Sequence, residues 1–401
     1  MPPAAEPRDG TIILGIETSC DETAASVVEW RDGAPRVRSN VVSTQHEVHE
    51  RYAGVVPELA SRAHLERIVP VVREALRLAG CRPEDAHAVA VGNRPGLIGS
   101  LLVGNAAAKA YAWSLGIPVI GVDHVAAHLA AGLIDAPPVR WPAFGLVVSG
   151  GHTHLFRMES PRDMAILGRT IDDAIGEAFD KAATILDLGY PGGPLLDRRS
   201  SSGDANAVRF PMPRLTARSV RGPRHGATAT PAAHPGPGPS AGSDAAADTA
   251  ADARTLDFSF SGMKTALLYA VRGVPAVPGR APPPAPVPLS EQRISDLCAS
   301  FQHAAVAQVL DVLERAHDRL TGADDPPATL LVGGGVSANR HLRRELARFG
   351  EARGLEVRLP ELAYCLDNAA MIAALAHWRH AAGERDPLTL APQPQSTLGR
   401  G

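Results

Sequence analysis

Apolar and polar positions alternate along residues 11–30, TIILGIETSCDETAASVVEW, break at a run of small polar residues and then resume. This pattern predicts a β-hairpin with a polar tip. Residues 143–158, AFGLVVSGGHTHLFRM, repeat the plan, with a glycine-containing turn between two strands. Two such openings about half a chain apart point to a duplicated domain. Each is followed by residues with helical spacing of apolar positions, at 58–79 and at 171–187. Residues 328–349, ATLLVGGGVSANRHLRRELARF, read as a buried strand, three glycines and an Arg-rich amphipathic helix. Between these units the pattern lapses. Residues 216–255 are dominated by Ala, Pro, Gly, Ser and Thr, and 273–288 by Pro. Such segments lack the apolar surface to offset their ordering entropy, so the first is expected to be a disordered insertion and the second a shorter loop. The tail after Arg385 shows little core-forming pattern and is expected at the periphery.

Composition narrows the class. The 401 residues are 45% hydrophobic and 21% charged, enough for a large core and for two domains. The formal net charge of -3 removes bulk positive charge as an argument for a nucleic-acid partner, so any such contact must be local. Four widely spaced cysteines, Cys20, Cys81, Cys298 and Cys365, form neither a disulfide scaffold nor a CxxC pair, which fits a reducing, cytoplasmic setting. No apolar run is long enough for a membrane span, and no leader pattern opens the chain. Lysine survives only at Lys109, Lys181 and Lys264.

His124 and His128, four residues apart in HVAAH, share one helix face and can converge on one metal ion. A zinc peptidase would carry its general-base glutamate directly after the first histidine, where this chain has Val125. A third ligand is needed, and Asp367 in CLDNAAMIA is a candidate; the plainer reading of Asp367 is a helix N-cap. The Val147-Val148-Ser149-Gly150-Gly151-His152 turn can present backbone N–H groups to an anionic or carbonyl oxygen, although a plain hairpin turn has the same wording. Gly333-Gly334-Gly335, between a strand and a helix, suits a phosphate or adenosine. Asp180 and Lys181 read either as a solvated pair or, with Gly192, Gly193 and Asp197 following, as part of a ribose site. Lys264 sits beside a Ser/Gly turn, and Asp21, Glu22 and Thr23 occupy the first hairpin tip.

Ten blocks in order, among them ILGIETSCDETAASV, GVVPELASRAH, RPGLIGSLLVG, HVAAH, VVSGGHTHL, IDDAIGEAFDKAA, YPGGPLLD, LDFSFSGMKTAL, VGGGVSANRHLR and CLDNAAMIA, closely resemble the TsaD family of tRNA N6-adenosine threonylcarbamoyltransferases. PELASR is similar to the bacterial wording. The resemblance implies an α/β, duplicated two-lobe ASKHA fold (actin/Hsp70/sugar-kinase-like) with its ligand cleft between the lobes. The expected division is 11–140 plus about 366–385 for one lobe and 141–365 for the other, with 216–255 inserted and 386–401 as a peripheral tail. It implies that His124, His128 and Asp367 bind one divalent metal ion, and that Val147, Val148, Ser149, Gly150, Gly151, Asp180, Gly193, Asp197 and Asn339 hold the substrate. Two imidazoles and one carboxylate suit Fe(II) or Zn(II); iron is the first expectation, zinc the second. The implied reaction moves a threonylcarbamoyl group from L-threonylcarbamoyladenylate to N6 of adenosine 37 in tRNAs reading ANN codons, releasing AMP. Asp21, Glu22 and His152 are the candidate bases. Implied partners are tRNA, a TsaB-like paralogue and a TsaE-like ATPase, with no membrane.

Three departures stand out. Gly92-Asn93-Arg94 replaces the family's Thr-x-Gly, the 216–255 insertion has no counterpart in shorter relatives, and Gln393-Pro394-Gln395 stands near the place of a usual Arg-Trp-Pro. Arg198, Arg199, Arg209, Arg214, Arg218, Arg221 and Arg224 form a candidate phosphate-binding arm, with solubilising charge on a loop the stronger reading. Two rivals remain. An ATPase or small-molecule kinase of the same fold has no reason to carry the histidine pair, and a metallopeptidase is opposed by Val125.

Overall fold

β1 (Ile12–Glu17), β2 (Glu22–Arg31) and β3 (Ala34–Thr44) form an antiparallel meander, as the alternation predicts for the first two. The computed structural model describes residues 6–49, 52, 54–213, 215–216, 254–273 and 289–399. After the short α1 (His46–His49) come α2 (Pro57–Ala79), β4 (Ala88–Arg94), α3 (Ile98–Leu115), β5 (Val119–Asp123) and α4 (His124–Ala130). β4 pairs parallel to β1 and β5 parallel to β4, so the first sheet has the order β3-β2-β1-β4-β5.

The second half repeats this plan. β6 (Ala143–Val148), β7 (Thr153–Ser160) and β8 (Asp163–Arg169) form the meander. α5 (Ile175–Ile185), α6 (Gly192–Ser200), α7 (Ser261–Arg272) and α8 (Glu291–Leu320) follow. Then come β9 (Thr329–Gly333), α9 (Arg340–Arg353), β10 (Glu356–Arg358) and α10 (Ala369–Ala381). β9 and β10 add parallel strands, giving the order β10-β9-β6-β7-β8. Both sheets thus have a three-stranded meander with two parallel strands added beside its first strand. The duplication expected from the two hairpins is present in the topology.

Strand alternation decides where the cores lie. On one face of the first sheet Leu14, Ile16, Val89 and Val91 pack with α2 and α3 residues such as Ile68, Val72 and Ala108. Phe144, Leu146, Leu330 and Val332 turn one face of the second sheet toward residues of α5, α7 and α8, including Phe179, Leu267 and Phe301. The opposite faces look at each other. Ile13, Ala88, Ala90, Ile120 and Val122 of one sheet share a core with Val147, Phe156, Met158 and Leu331 of the other, and α4 and α10 are held in it. Gly15 permits this closeness: a Cβ there would lie 2.4 Å from the Ala369 carbonyl and 3.0 Å from Ala373 Cβ. Both helices are Ala-rich and buried on nearly every side, which suits a position between two sheets.

The 217–253 part of the expected insertion, all but Gly273 and 289–290 of the Pro-rich loop region, and Arg214, Arg218, Arg221 and Arg224 lie outside the described residues. The base of the insertion is described: Thr216 bridges Arg254 antiparallel, and Thr255 N donates to Leu215 O at 2.9 Å. The tail after Arg385 is exposed over much of its length, yet it is hydrogen-bonded to both sheets. Among the described residues no helix is long and apolar enough to cross a membrane.

Candidate metal centre and substrate cleft

α4 starts directly after the last residue of β5. Asp123 is its N-cap, with Oδ1 accepting from Val125 N at 3.0 Å and Ala126 N at 3.3 Å. That cap fixes the first turn, and the spacing then places both imidazoles on one side with ring centroids 4.5 Å apart. Asp367 stands just before α10. Asn368, not Asp367, caps that helix, its Oδ1 accepting from Met371 N at 3.1 Å. The Asp367 carboxylate is therefore free to turn toward α4, where Oδ1 lies 3.4 Å from His124 Nε2 and 3.3 Å from His128 Nε2. Donor atoms of all three residues lie within 4.8 Å of one another.

The surroundings fit a cation. His128 is fully buried, and its Nδ1 has no hydrogen-bond partner. Burial disfavours ionisation of Asp367, but the two imidazoles outweigh it and hold the carboxyl well below the usual carboxylate range. Burial likewise lowers the His124 pKa, yet Asp367 and Glu17 raise it well above an ordinary histidine. In His128 burial prevails, aided by the charge of His124, and the ring is kept neutral. Two imidazoles, one of them held neutral, and one ionised carboxylate form a donor set suited to a divalent ion.

Motif reading missed three further residues, two of which, Glu17 and Ser19, contact this centre. Glu17 Oε2 lies 3.2 Å from His124 Nδ1, the carboxylate-histidine contact that orients a metal-binding ring through its other nitrogen. Ser19 Oγ is also 3.2 Å from that nitrogen, and Ser19 N donates to Glu17 Oε1 at 2.5 Å. A fully buried acid within an apolar strand was the available clue to Glu17. His46 is the third: it forms a second cluster with Asp21 and Glu22, its Nε2 lying 3.7 Å from Glu22 Oε1. Burial, then Asp367 and Asp21, raise the Glu22 carboxyl well above its ordinary value. His152 is lowered to about 3 by burial, then by the positive side of His124 and by His154. Of the three candidate bases, Glu22 is thus shifted up and His152 down, which keeps the imidazole neutral.

Val147 and Val148 end β6 with their side chains in opposite cores, leaving the backbone to form the loop. The Ser149 hydroxyl accepts from His152 N at 3.1 Å and closes the turn, while the positions a Cβ would take at Gly150 and Gly151 are open. The two glycine loops meet: Gly334 has φ +94°, and a Cβ there would lie 2.4 Å from the Val148 carbonyl. Asp180 Oδ1 accepts from Gly192 N at 2.9 Å and Gly193 N at 3.1 Å, and burial raises its carboxyl. Asp197 Oδ2 accepts from Arg340 Nε at 2.8 Å. Asn339 caps α9 through Leu342 N and donates to Gln302 Oε1 at 3.0 Å. These side chains already have protein partners, so their geometry alone reads as helix and loop anchoring. A cavity of about 270 Å³ opens at Asp197, bordered by Gln302, His303, Arg340, His341 and Arg344. Lys181 pairs with Asp173 at 2.6 Å and Glu177 at 3.0 Å, a surface arrangement.

Comparison with known proteins identifies the family of the chain. The family described as "TsaD: tRNA N6-adenosine threonylcarbamoyltransferase" matches residues 36–374. The chain is 44% identical over 379 residues to the tRNA N6-adenosine threonylcarbamoyltransferase of Trichlorobacter lovleyi, covering 94% of each. It is 43% identical over 390 residues to the enzyme of that name from Symbiobacterium thermophilum, covering 97% of this chain and 98% of the relative. Among solved structures, T. kodakarensis HypF is 12% identical with a TM-score of 0.53, over 94% of this chain and 48% of HypF. That likeness concerns the fold alone and supports the two-lobe ASKHA architecture. By family match and by near full-length identity, the chain belongs to the TsaD family of tRNA N6-adenosine threonylcarbamoyltransferases.

Proposed function

We propose how this chain carries out its family's activity, the transfer of a threonylcarbamoyl group to N6 of a tRNA adenosine. The donor is L-threonylcarbamoyladenylate and the acceptor is adenosine 37 of tRNAs reading ANN codons. N6 attacks the carbamoyl carbon, the bond from that carbon to the phosphate oxygen breaks, AMP leaves, and the N6 proton passes to a base. An activated carbonyl with a good leaving group needs positioning and charge stabilisation more than a strong acid. The observation that carries the reading is the convergence of His124, His128 and Asp367 from two helices held between the sheets.

His124, His128 and Asp367 would hold one divalent ion, Fe(II) before Zn(II), which when bound supplies Lewis-acid charge and a template for donor oxygens. The space a Cβ would take at Gly150 and Gly151 is open, so a ligand can approach this backbone, and their amides would receive phosphate or carbamoyl oxygens, with Val147, Val148 and Ser149 shaping the loop. Asp180, Gly193, Asp197 and Asn339 would bound the adenosine end, next to the cavity at Asp197. Asp21, Glu22 and His152 are the candidate proton acceptors; burial and neighbouring carboxylates raise the Glu22 carboxyl, while His152 is neutral. The lobes divide as 11–140 plus about 366–385 and 141–365, and the working assembly includes a TsaB-like paralogue and a TsaE-like ATPase in the cytoplasm.

The deciding experiment supplies tRNA, threonine, bicarbonate, ATP and the adenylate-forming enzyme, with and without a chelator. Modified nucleoside that depends on this chain and on metal supports the reading. Peptide cleavage, or sugar phosphate without modified tRNA, would replace it. Asp21→Asn, Glu22→Gln and His152→Gln with unchanged single-turnover rates would remove all three as bases.

A further inference from the structure

The segment from Asp386 to Gly399 follows α10 and touches both sheets at their open edges. Asp386 bridges Val119 of the edge strand β5 antiparallel, its N donating to Val119 O at 3.0 Å and its Oδ2 accepting from Gly121 N at 2.8 Å. Leu390 lies where Gly121 leaves room, and Lys109 Nζ donates to the Leu390 carbonyl at 3.1 Å. Gln393 N donates to Asn93 O at 2.9 Å, and its side-chain oxygen lies 3.5 Å from Arg94 Nη1. Gly399 O accepts from Ile166 N at 3.1 Å on β8, the edge strand of the second sheet.

In the middle of this path the Ser396 hydroxyl donates to Asp123 Oδ2 at 2.6 Å. The other oxygen of the same carboxylate caps the helix that begins with His124. Arg94 Nε is 3.7 Å from Asp123 Oδ2, so both carboxylate oxygens are fixed. We propose that this C-terminal strap positions the metal-binding helix, with Ser396 as the positioning residue that acts through Asp123 on His124 and His128. Its physical content is orientational. Without Ser396, Oδ2 keeps only the longer 3.7 Å approach of Arg94, which leaves the cap carboxylate freer to rotate, and rotation loosens the first turn, where the first ligand stands. Arg94 and Gln393 meet each other at this strap.

The inference rests on the metal reading above, and the test separates the two. Using the full chain, Zn(II) affinity is measured by chelator competition, and hydrogen exchange at the Val125 and Ala126 amides is followed by NMR, for wild type, Ser396→Ala and Ser396→Thr. Ser396→Ala is expected to weaken Zn(II) binding about 10-fold, in the range for removal of outer-shell support, and to speed exchange at both amides. It should also lower kcat more than it raises KM for tRNA. Ser396→Thr, which keeps the hydroxyl, should restore all three. Unchanged affinity and exchange in Ser396→Ala would overturn the strap while leaving the metal centre intact. Absence of Zn(II) binding in wild type would overturn the metal reading itself, and the strap with it.

Discussion

His128 is poorly satisfied: its Nδ1 is buried without a partner and its Nε2 has only the 3.3 Å approach of Asp367 Oδ1, an arrangement that costs stability. Replacing an imperfectly satisfied buried imidazole with an apolar side chain of similar size removes a desolvation penalty of about 1–3 kcal/mol. His128→Leu is therefore expected to leave the metal-free protein as stable as wild type or more so, and to abolish tight metal binding. Thermal melts in a chelator, paired with Zn(II) titration, check both halves. A variant that melts clearly below wild type in the chelator would mean that His128 is a packing residue. The neighbouring His124 is different, because Glu17 and Ser19 already engage its Nδ1.

At the scale of elements, α4 and α10 carry the site between the two sheets, and each is legible in the sequence to a different degree. The HVAAH spacing announces its own geometry because i and i+4 must share a helix face. Asp367 reads only as an acid at the head of an apolar helix, and capping is an equal reading until Asn368 takes that role in the fold. Glu17 and Ser396 give no motif at all. Their partners lie more than a hundred residues away in sequence, and no periodicity encodes an interaction of that range. Asp180 and Asn339 stand out through glycine and turn patterns, which helix anchoring produces as readily as ligand binding. α10 also carries a buried group with a pH consequence. His377 Nε2 donates to Val28 O at 3.2 Å, and burial, reinforced by His380 and His87, outweighs that bond, lowers the ring to about 3 and so keeps it neutral. Above about pH 6.5 neither folded nor unfolded His377 is protonated and the residue adds no pH dependence. Below that value only the unfolded chain takes the proton, so stability falls by up to ~1.4 kcal/mol per pH unit down toward pH 3. His377→Gln keeps a donor for Val28 O and should flatten the slope of urea-unfolding free energy between pH 6.5 and 5 by about one proton. An identical slope would show that His377 is already charged in the fold.

For the whole molecule, the question is how a chain of net charge -3 accommodates a polyanion, and whether residues 217–253 take part. The described residues on either side anchor themselves. Thr216 and Arg254 close the base as an antiparallel bridge, Arg254 pairs with Asp311 of α8 at 3.0 Å, and Arg319 of α8 donates to the Arg254 carbonyl. Replacing 217–253 with a short turn leaves every one of those anchors in place. A shorter connection also costs less to close, so the deletion is expected to preserve the unfolding midpoint or raise stability by roughly 1–2 kcal/mol. For tRNA the stronger expectation is that nothing changes. Arg218, Arg221 and Arg224 are diluted among small and polar residues, and the charge lining the Asp197 cavity, from Arg340 and Arg344, remains. Affinity measured across a salt series decides the matter, since each phosphate that the protein no longer neutralises reduces the slope of log K against log salt by about 0.7–0.9. An unaltered slope and affinity assign the segment to solubility. A slope shallower by about 2 or more, with wild-type metal binding retained, would assign those arginines to the tRNA backbone and make the insertion an added arm on an otherwise complete enzyme.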